Sequence, residues 1–137
     1  AEQLGLAPAQ PLFFLERIRC ADDEPLALDR AWLSMELAAP LLSSDFEHTA
    51  LYDELERRCG VRPDAGWERI APVLPAAEER SALKMRRGEA AFSLERLGTA
   101  AGVPIECPAC QATIEVPVPS ATAPPARCMV RNRARSG

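Results

Sequence analysis

One segment of this chain occurs twice. FFLERIRCADDEPL, residues 13–26, aligns without a gap with FSLERLGTAAGVPI, residues 92–105, at a constant offset of 79. Phe13/Phe92, Leu15/Leu94, Glu16/Glu95, Arg17/Arg96, Ala21/Ala100 and Pro25/Pro104 are identical, six of fourteen positions. Each copy reads as strand, turn, strand: bulky apolar residues broken by a charged pair, then ADDEP or TAAGVP, then a second apolar run. Two similar hairpins fit most simply side by side in one antiparallel sheet, with helices from the intervening segment over a face or an end. The expected fold class is therefore α+β: an antiparallel sheet of about six strands, flanking helices and an internal pseudo-twofold. A cleft between two such halves is a natural ligand site.

The remaining segments complete that picture. Residues 11–20 and 26–34 are the first hairpin, and 35–42 a short helix carrying Pro40. ALYDELERRC, 50–59, has Leu51, Leu55 and Cys59 at helical spacing, with Thr49 placed to cap its start and Gly60 to end it. Residues 66–74 read as a strand with Trp67 and Ile70 buried. Pro75 opens a helix over PAAEERSALKM at a first-turn position, and Gly88 closes that segment. Residues 90–98 form the next strand, and a last strand begins at Ile105.

Composition narrows the function. At 137 residues with 47 % hydrophobic content the chain is one domain with a real core. Its net charge of −4 argues against a nucleic-acid binder. The one basic run, Arg127, Arg131, Arg133 and Arg135, reads as a solvated or disordered end. No apolar run reaches the length of a membrane span, and AEQLGLAPAQPL lacks signal-peptide character, so a cytoplasmic protein is expected. Five scattered cysteines suit reduced thiols. Cys107-Pro-Ala-Cys110 is a CxxC without the further ligands that zinc requires. His48 is the lone histidine and reads as a loop residue. Trp32, Trp67, Phe13, Phe14 and Phe92 read as core. No Walker loop, dinucleotide-binding glycine pattern or nucleophile elbow occurs. No cofactor, no metal and no catalytic set is expected.

Several motifs, in order, resemble the UTRA domain, the effector-binding module of GntR-type regulators of the HutC subfamily. LGLAPAQPLFFLERIRCADDEPLALD resembles the family's opening, in which R-x-R ends the first strand and a carboxylate follows ten residues later. ALYDELERRCGV resembles its S-L-Y helix, and RRGEAAFSLERLGTAAGVPIE its G-x-P-[IV]-E ending. The resemblance covers residues 4–106. From Cys107 the family's aromatic and R-G-D pattern is missing, Ala112 stands where a Tyr is usual, and an altered C-terminus is one reading of that break.

The resemblance implies a chorismate-lyase-like fold. It further implies a domain that binds a small anionic metabolite, a sugar phosphate or an organic or amino acid, dimerises, and controls DNA binding by an N-terminal winged helix-turn-helix lying outside this chain. The implied ligand-binding residues are Arg17, Arg19, Asp29, Thr49, Tyr52 and Glu106. Arg17 and Arg19 share a strand face, and guanidinium groups bind oxyanions bidentately. Arg96 repeats Arg17, but Gly98 takes the place of a second arginine, so the R-x-R role is expected of the first copy alone. The Ser of S-L-Y is Ala50 here. Asp29 and Glu106 are expected to act as hydrogen-bond acceptors. Two alternatives stand beside sensing: a chorismate-lyase-like enzyme, and a dimerisation module without ligand.

Overall fold

A computed structural model of the chain describes residues 10–117 and 127–132, the strand segments 106–112 and 127–132 by their backbone alone. The first hairpin is β1 (Leu12–Ala21) and β2 (Glu24–Ser34). It closes through a two-residue turn in which Asp22 and Asp23 both have positive φ, 48° and 65°. Such a turn matches the right-handed twist of the strands it joins. The second copy repeats the device. β4 (Ala91–Ala100) turns into the two-residue β5 (Val103–Pro104) through Ala101 and Gly102, at φ 51° and 76°. Ala21 faces Glu24 and Cys20 faces Pro25, as Ala100 faces Val103 and Thr99 faces Pro104.

β6 (Glu106–Glu115) then runs back between the hairpins, pairing β4 on one side and β2 on the other. β3 (Ala65–Val73) lies outside β4, and β7 (Arg127–Asn132) outside β1. The order β3-β4-β6-β2-β1-β7, antiparallel throughout, is the open six-stranded sheet expected from the repeat. It is also the pseudo-twofold, because each first strand carries one outer strand and the second strands meet in the middle.

Short helices cover both faces. On one face Phe13, Leu15, Ala31 and Leu33 pack beneath α1 (Met35–Ala38), a 3-10 turn (Ala39–Ser43) and α2 (Leu51–Glu54), joined there by Leu41, Phe46, Leu51 and Leu55. On the other face Leu28, Ala91 and Ile114 pack against Leu83 at the end of α3 (Ala77–Ala82). Arg30 ties that helix to the sheet, reaching Glu16 and Glu79 at 2.9 Å each.

Five expectations need correction. Trp67 and Ile70 are 40 % and 60 % exposed, not buried, because β3 lies at the edge of the sheet. Phe92, beside it on β4, is likewise exposed. Thr49 does not cap α2; its hydroxyl donates to the Asp45 carbonyl at 2.8 Å, and the capping position falls to Ala50. The third helix starts after Ala76, so Pro75 precedes it and lies outside its first turn. The basic tail is not simply a loose end, since the backbone of Arg127–Asn132 pairs with β1. Arg133 and Arg135 lie outside the described residues, as do the side chains of Cys107 and Cys110.

The core and the edge should respond differently to truncation. Leu33, fully buried between sheet and helices, should lose about 2–5 kcal/mol of stability as Leu33→Ala. Ile70→Ala on the open edge should stay within about 0.5 kcal/mol. Urea denaturation of the two variants measures both values.

Candidate functional site

Strand alternation decides which side chains meet. Along β1, Phe13, Leu15, Arg17 and Arg19 fall on one face. The first two lie under the helices, and the two arginines emerge beyond them. Across the sheet, Arg17 faces Asp29, Asp29 faces Thr113, and Thr113 faces Leu94. This single row crosses four strands, roughly 14 Å at the usual strand spacing. Its middle members are small, and the segment Glu47–Ala50, leading into α2, rises over it. The result is a cleft of about 440 Å³. Arg17, Arg19, Asp29 and Thr49, named from the sequence, all line it.

Asp29 organises the floor. It accepts from Arg19 Nε at 2.8 Å and Arg19 Nη2 at 3.4 Å, and from the Thr113 hydroxyl at 2.8 Å. Arg17 stands farther off, with Nη2 at 3.9 Å from the same carboxylate. The Arg17 side chain is only 14 % exposed, and among the described residues its Nε is a buried nitrogen without a hydrogen-bond partner. An unsatisfied buried guanidinium N–H is costly, and this one belongs to a cleft-lining side chain. One carboxylate thus serves two arginines, leaving positive charge and a free donor at that end.

The far end of the cleft holds a second charged cluster. Arg96 lines it, bonded to Glu68 through Nε at 2.9 Å and again through Nη2. Glu68, and after it a hydrogen bond that Arg96 donates to Tyr52, raises the Arg96 pKa against the opposing effect of burial. The sequence reading gave the R-x-R role to the first copy and no ligand role to Arg96; Arg96, the repeat mate of Arg17, nevertheless lines the same cleft. The offset of 79 carried that signal, and the comparison of R-x-R with R-x-G hid it. Tyr52 stands against Arg96 and not in the main cleft. Glu106 faces Leu33, four positions along β2 from Asp29, and its side chain lies outside the described residues.

His48 and Glu47 also line the cleft, where sequence reading saw a plain loop histidine. His48 Nδ1 lies 2.8 Å from Asp45 Oδ2. Asp45, Glu47 and His48 form an exposed trio whose bonds are internal to the loop. Thr113 comes from the part of the chain where the family pattern was expected to fail, and it supplies a hydroxyl to the floor.

α2 is anchored by a buried carboxylate. Glu54, 2 % exposed, accepts from Ser44 Oγ at 2.6 Å and from Arg57 and Arg58. The chain past it widens into a π-helical turn over Leu55–Cys59, ending on Gly60 at φ 66°. Among the described residues, Cys20 and Cys59 are not disulfide-bonded, and burial pushes the Cys59 thiol up.

The fold and the cleft define a class: an open antiparallel-sheet domain with a concave site that is cationic at one end. The model of the UTRA domain matches residues 1–110, and the chain belongs to that family. The HTH-type transcriptional repressor NagR of Bacillus subtilis (strain 168) is 26 % identical over 93 residues, 68 % of this chain but 38 % of NagR. The chain thus spans well under half of that relative. Two solved structures share the fold. The C-terminal domain of the histidine utilization repressor from Pseudomonas syringae superposes with a TM-score of 0.77 at 19 % identity, covering 85 % of this chain and 79 % of that one. The effector domain of PhnF from Mycobacterium smegmatis gives 0.75 at 24 % identity, covering 85 % and 70 %.

Acid stability tests the anchor of α2. The Ser44 hydroxyl, then Arg57 and Arg58, hold Glu54 at about 2, below its ordinary 4.5, against the opposing effect of burial. A carboxylate depressed on folding stabilises fully above its unfolded value and loses that contribution as pH falls through the folded one. Stability of the wild type should therefore decline between about pH 4.5 and 2. Glu54→Gln should be less stable at neutral pH and show a shallower decline across that window, read by denaturant titration at each pH.

Proposed function

We propose that this domain senses a small anionic metabolite in the cleft and, within a longer transcription regulator, passes occupancy to a DNA-binding domain. The observation that carries the reading is Arg17: a half-buried side chain at the cleft whose buried Nε has no hydrogen-bond partner among the described residues, and whose carboxylate neighbour Asp29 is already bonded to Arg19. An oxyanion there would accept from Arg17 and Arg19 together, the bidentate geometry that guanidinium favours. Asp29, Thr49 and Thr113 are the polar partners for the rest of the ligand; the family motif would add Tyr52, which lies beside the cleft against Arg96, and Glu106. Membership of the UTRA family, and the chain's similarity to the transcriptional repressor NagR and to the effector domain of PhnF, support the regulatory setting. Sensing then requires that the ligand bind two arrangements of the protein with different affinity, and a homodimer is the assembly in which such a shift would alter the spacing of paired DNA-binding domains.

A non-catalytic role is favoured over a lyase of related fold. Asp29, at the centre of the cleft floor, is already engaged by Arg19 and the Thr113 hydroxyl. A pyruvate-release assay with chorismate should give no turnover; clear turnover would refute this choice.

Ligand screening by thermal shift tests the sensing reading directly. At a hundredfold excess over Kd a bound anion should stabilise the domain by about 2.7 kcal/mol. Arg17→Ala and Arg19→Ala should each abolish that shift. Failure of every sugar phosphate, amino acid and organic acid to stabilise the wild type would remove the support. Asp29→Asn separates the roles further: by releasing Arg19 it should tighten binding of inorganic phosphate, measured by calorimetry, while lowering the stability of the unliganded protein.

A further inference from the structure

The cleft has a neighbour. A second groove of about 350 Å³ opens beside it, bounded by Tyr52 and Pro63 and floored where Gly66 faces Gly98. The two concavities share Glu68 and Arg96 and, among the residues lining them, nothing else. These two side chains are bonded to each other. A single ion pair is therefore the partition between a charged compartment and one that is mainly apolar.

The floor of the groove is built by the absence of side chains. A Cβ placed on Gly66 would sit 2.2 Å from the Leu97 carbonyl oxygen, closer than any real contact. β3 and β4 approach too tightly there for any residue but glycine, and the facing position on β4 is Gly98. The strip of bare backbone lies beside the Tyr52 ring. A flat apolar group fits such a recess, with peptide planes below it and an aromatic wall at its side. Arg96 is bonded to Glu68 and, on the groove side, to Tyr52, and an ion pair this exposed contributes little to stability, so opening it costs little.

We propose that the groove is a second compartment of the same site, taking the apolar or aromatic end of an elongated ligand whose anionic end lies on Arg17 and Arg19. This rests on the anion reading above and adds a ligand class to it: an anion joined by a linker to an apolar group. The row from Arg17 to Leu94 spans roughly 14 Å, so the linker must carry the apolar end most of that distance. Occupancy of both compartments would draw Arg96 away from Glu68 and hence act on the edge strand β3.

Four probes on the 137-residue chain decide the matter: inorganic phosphate, phenyl phosphate, hexyl phosphate and phenylhexyl phosphate, each titrated by calorimetry and by amide NMR. Phenylhexyl phosphate should bind roughly tenfold more tightly than hexyl phosphate, as expected for burying a ring. It alone should shift the amides of Gly66 and Gly98. Phenyl phosphate, too short to reach, should leave both amides in place. Ala65→Trp, which crowds the groove at the start of β3, should erase the advantage of the ring and keep the affinity for inorganic phosphate. Phosphate binding without any advantage for phenylhexyl phosphate, or an advantage with unmoved glycine amides, overturns the second compartment alone. No binding of any probe overturns the anion reading and the compartment with it. Loss of self-association in Ala65→Trp, by sedimentation, with no change in the ring's advantage, would make the groove a subunit contact and end the proposal.

Discussion

The antiparallel seam between β2 and β6 is the contact on which this domain depends. It joins the second strands of two hairpins that the sequence repeats, and so it fixes what lies opposite what. With that seam in register, Asp29 meets Thr113, Arg17 stands one strand out, and Leu94 one strand out on the other side. A slip of one residue along β6 would send Thr113 to the opposite face and bring an apolar neighbour to Asp29. The cleft is thus a consequence of register before it is a consequence of any loop. Helices then shape it from above: α1 and α2 cover Phe13 and Leu15 and stop short of Arg17, leaving the last part of the same strand face open.

Charge in the cleft is nearly balanced by internal pairs, and the imbalance is local. Arg19 is held by Asp29 and Arg96 by Glu68. Arg17 shares an acceptor that is already engaged. Such pairs have a dual effect. They hold guanidinium groups in place without a ligand, which lowers the entropy lost on binding. They also compete with the ligand, so an incoming anion must offer Arg19 more than Asp29 does. A cleft of this kind discriminates by geometry more than by charge, because a bare anion gains little where a carboxylate already sits.

How much of this was legible in the chain follows from where the information resides. The hairpins were legible because apolar alternation, the turn residues and the repeated LER segment all act locally. Arg17, Arg19 and Asp29 were named through the resemblance to the family's opening motif; strand alternation explains only why the two arginines share a face. The exposure of Trp67 and Ile70 was not legible, since an apolar residue on an edge strand carries the same letters as one on a central strand. Only sheet order tells them apart. Thr49 was read as a helix cap because it precedes the apolar run, yet the Asp45 carbonyl, four residues back, claims its hydroxyl. The π-helical turn beyond Glu54 depends on partners at Ser44, Arg57 and Arg58 that helical periodicity does not encode.

Arg96 shows a different limit. Its repeat relation to Arg17 was visible, but its role depends on which neighbour neutralises it. In the first copy the carboxylate comes from the inner strand, as Asp29 on β2; in the second it comes from the outer strand, as Glu68 on β3. The two copies therefore share the position of the arginine and differ in the side from which its carboxylate comes. That difference leaves the centre of the sheet to Asp29 and Thr113, and it turns the outer pair into a wall between two recesses. Had both copies kept the inner arrangement, a second carboxylate would stand beside Thr113, and the negative charge at the centre would repel the anion that Arg17 is placed to receive.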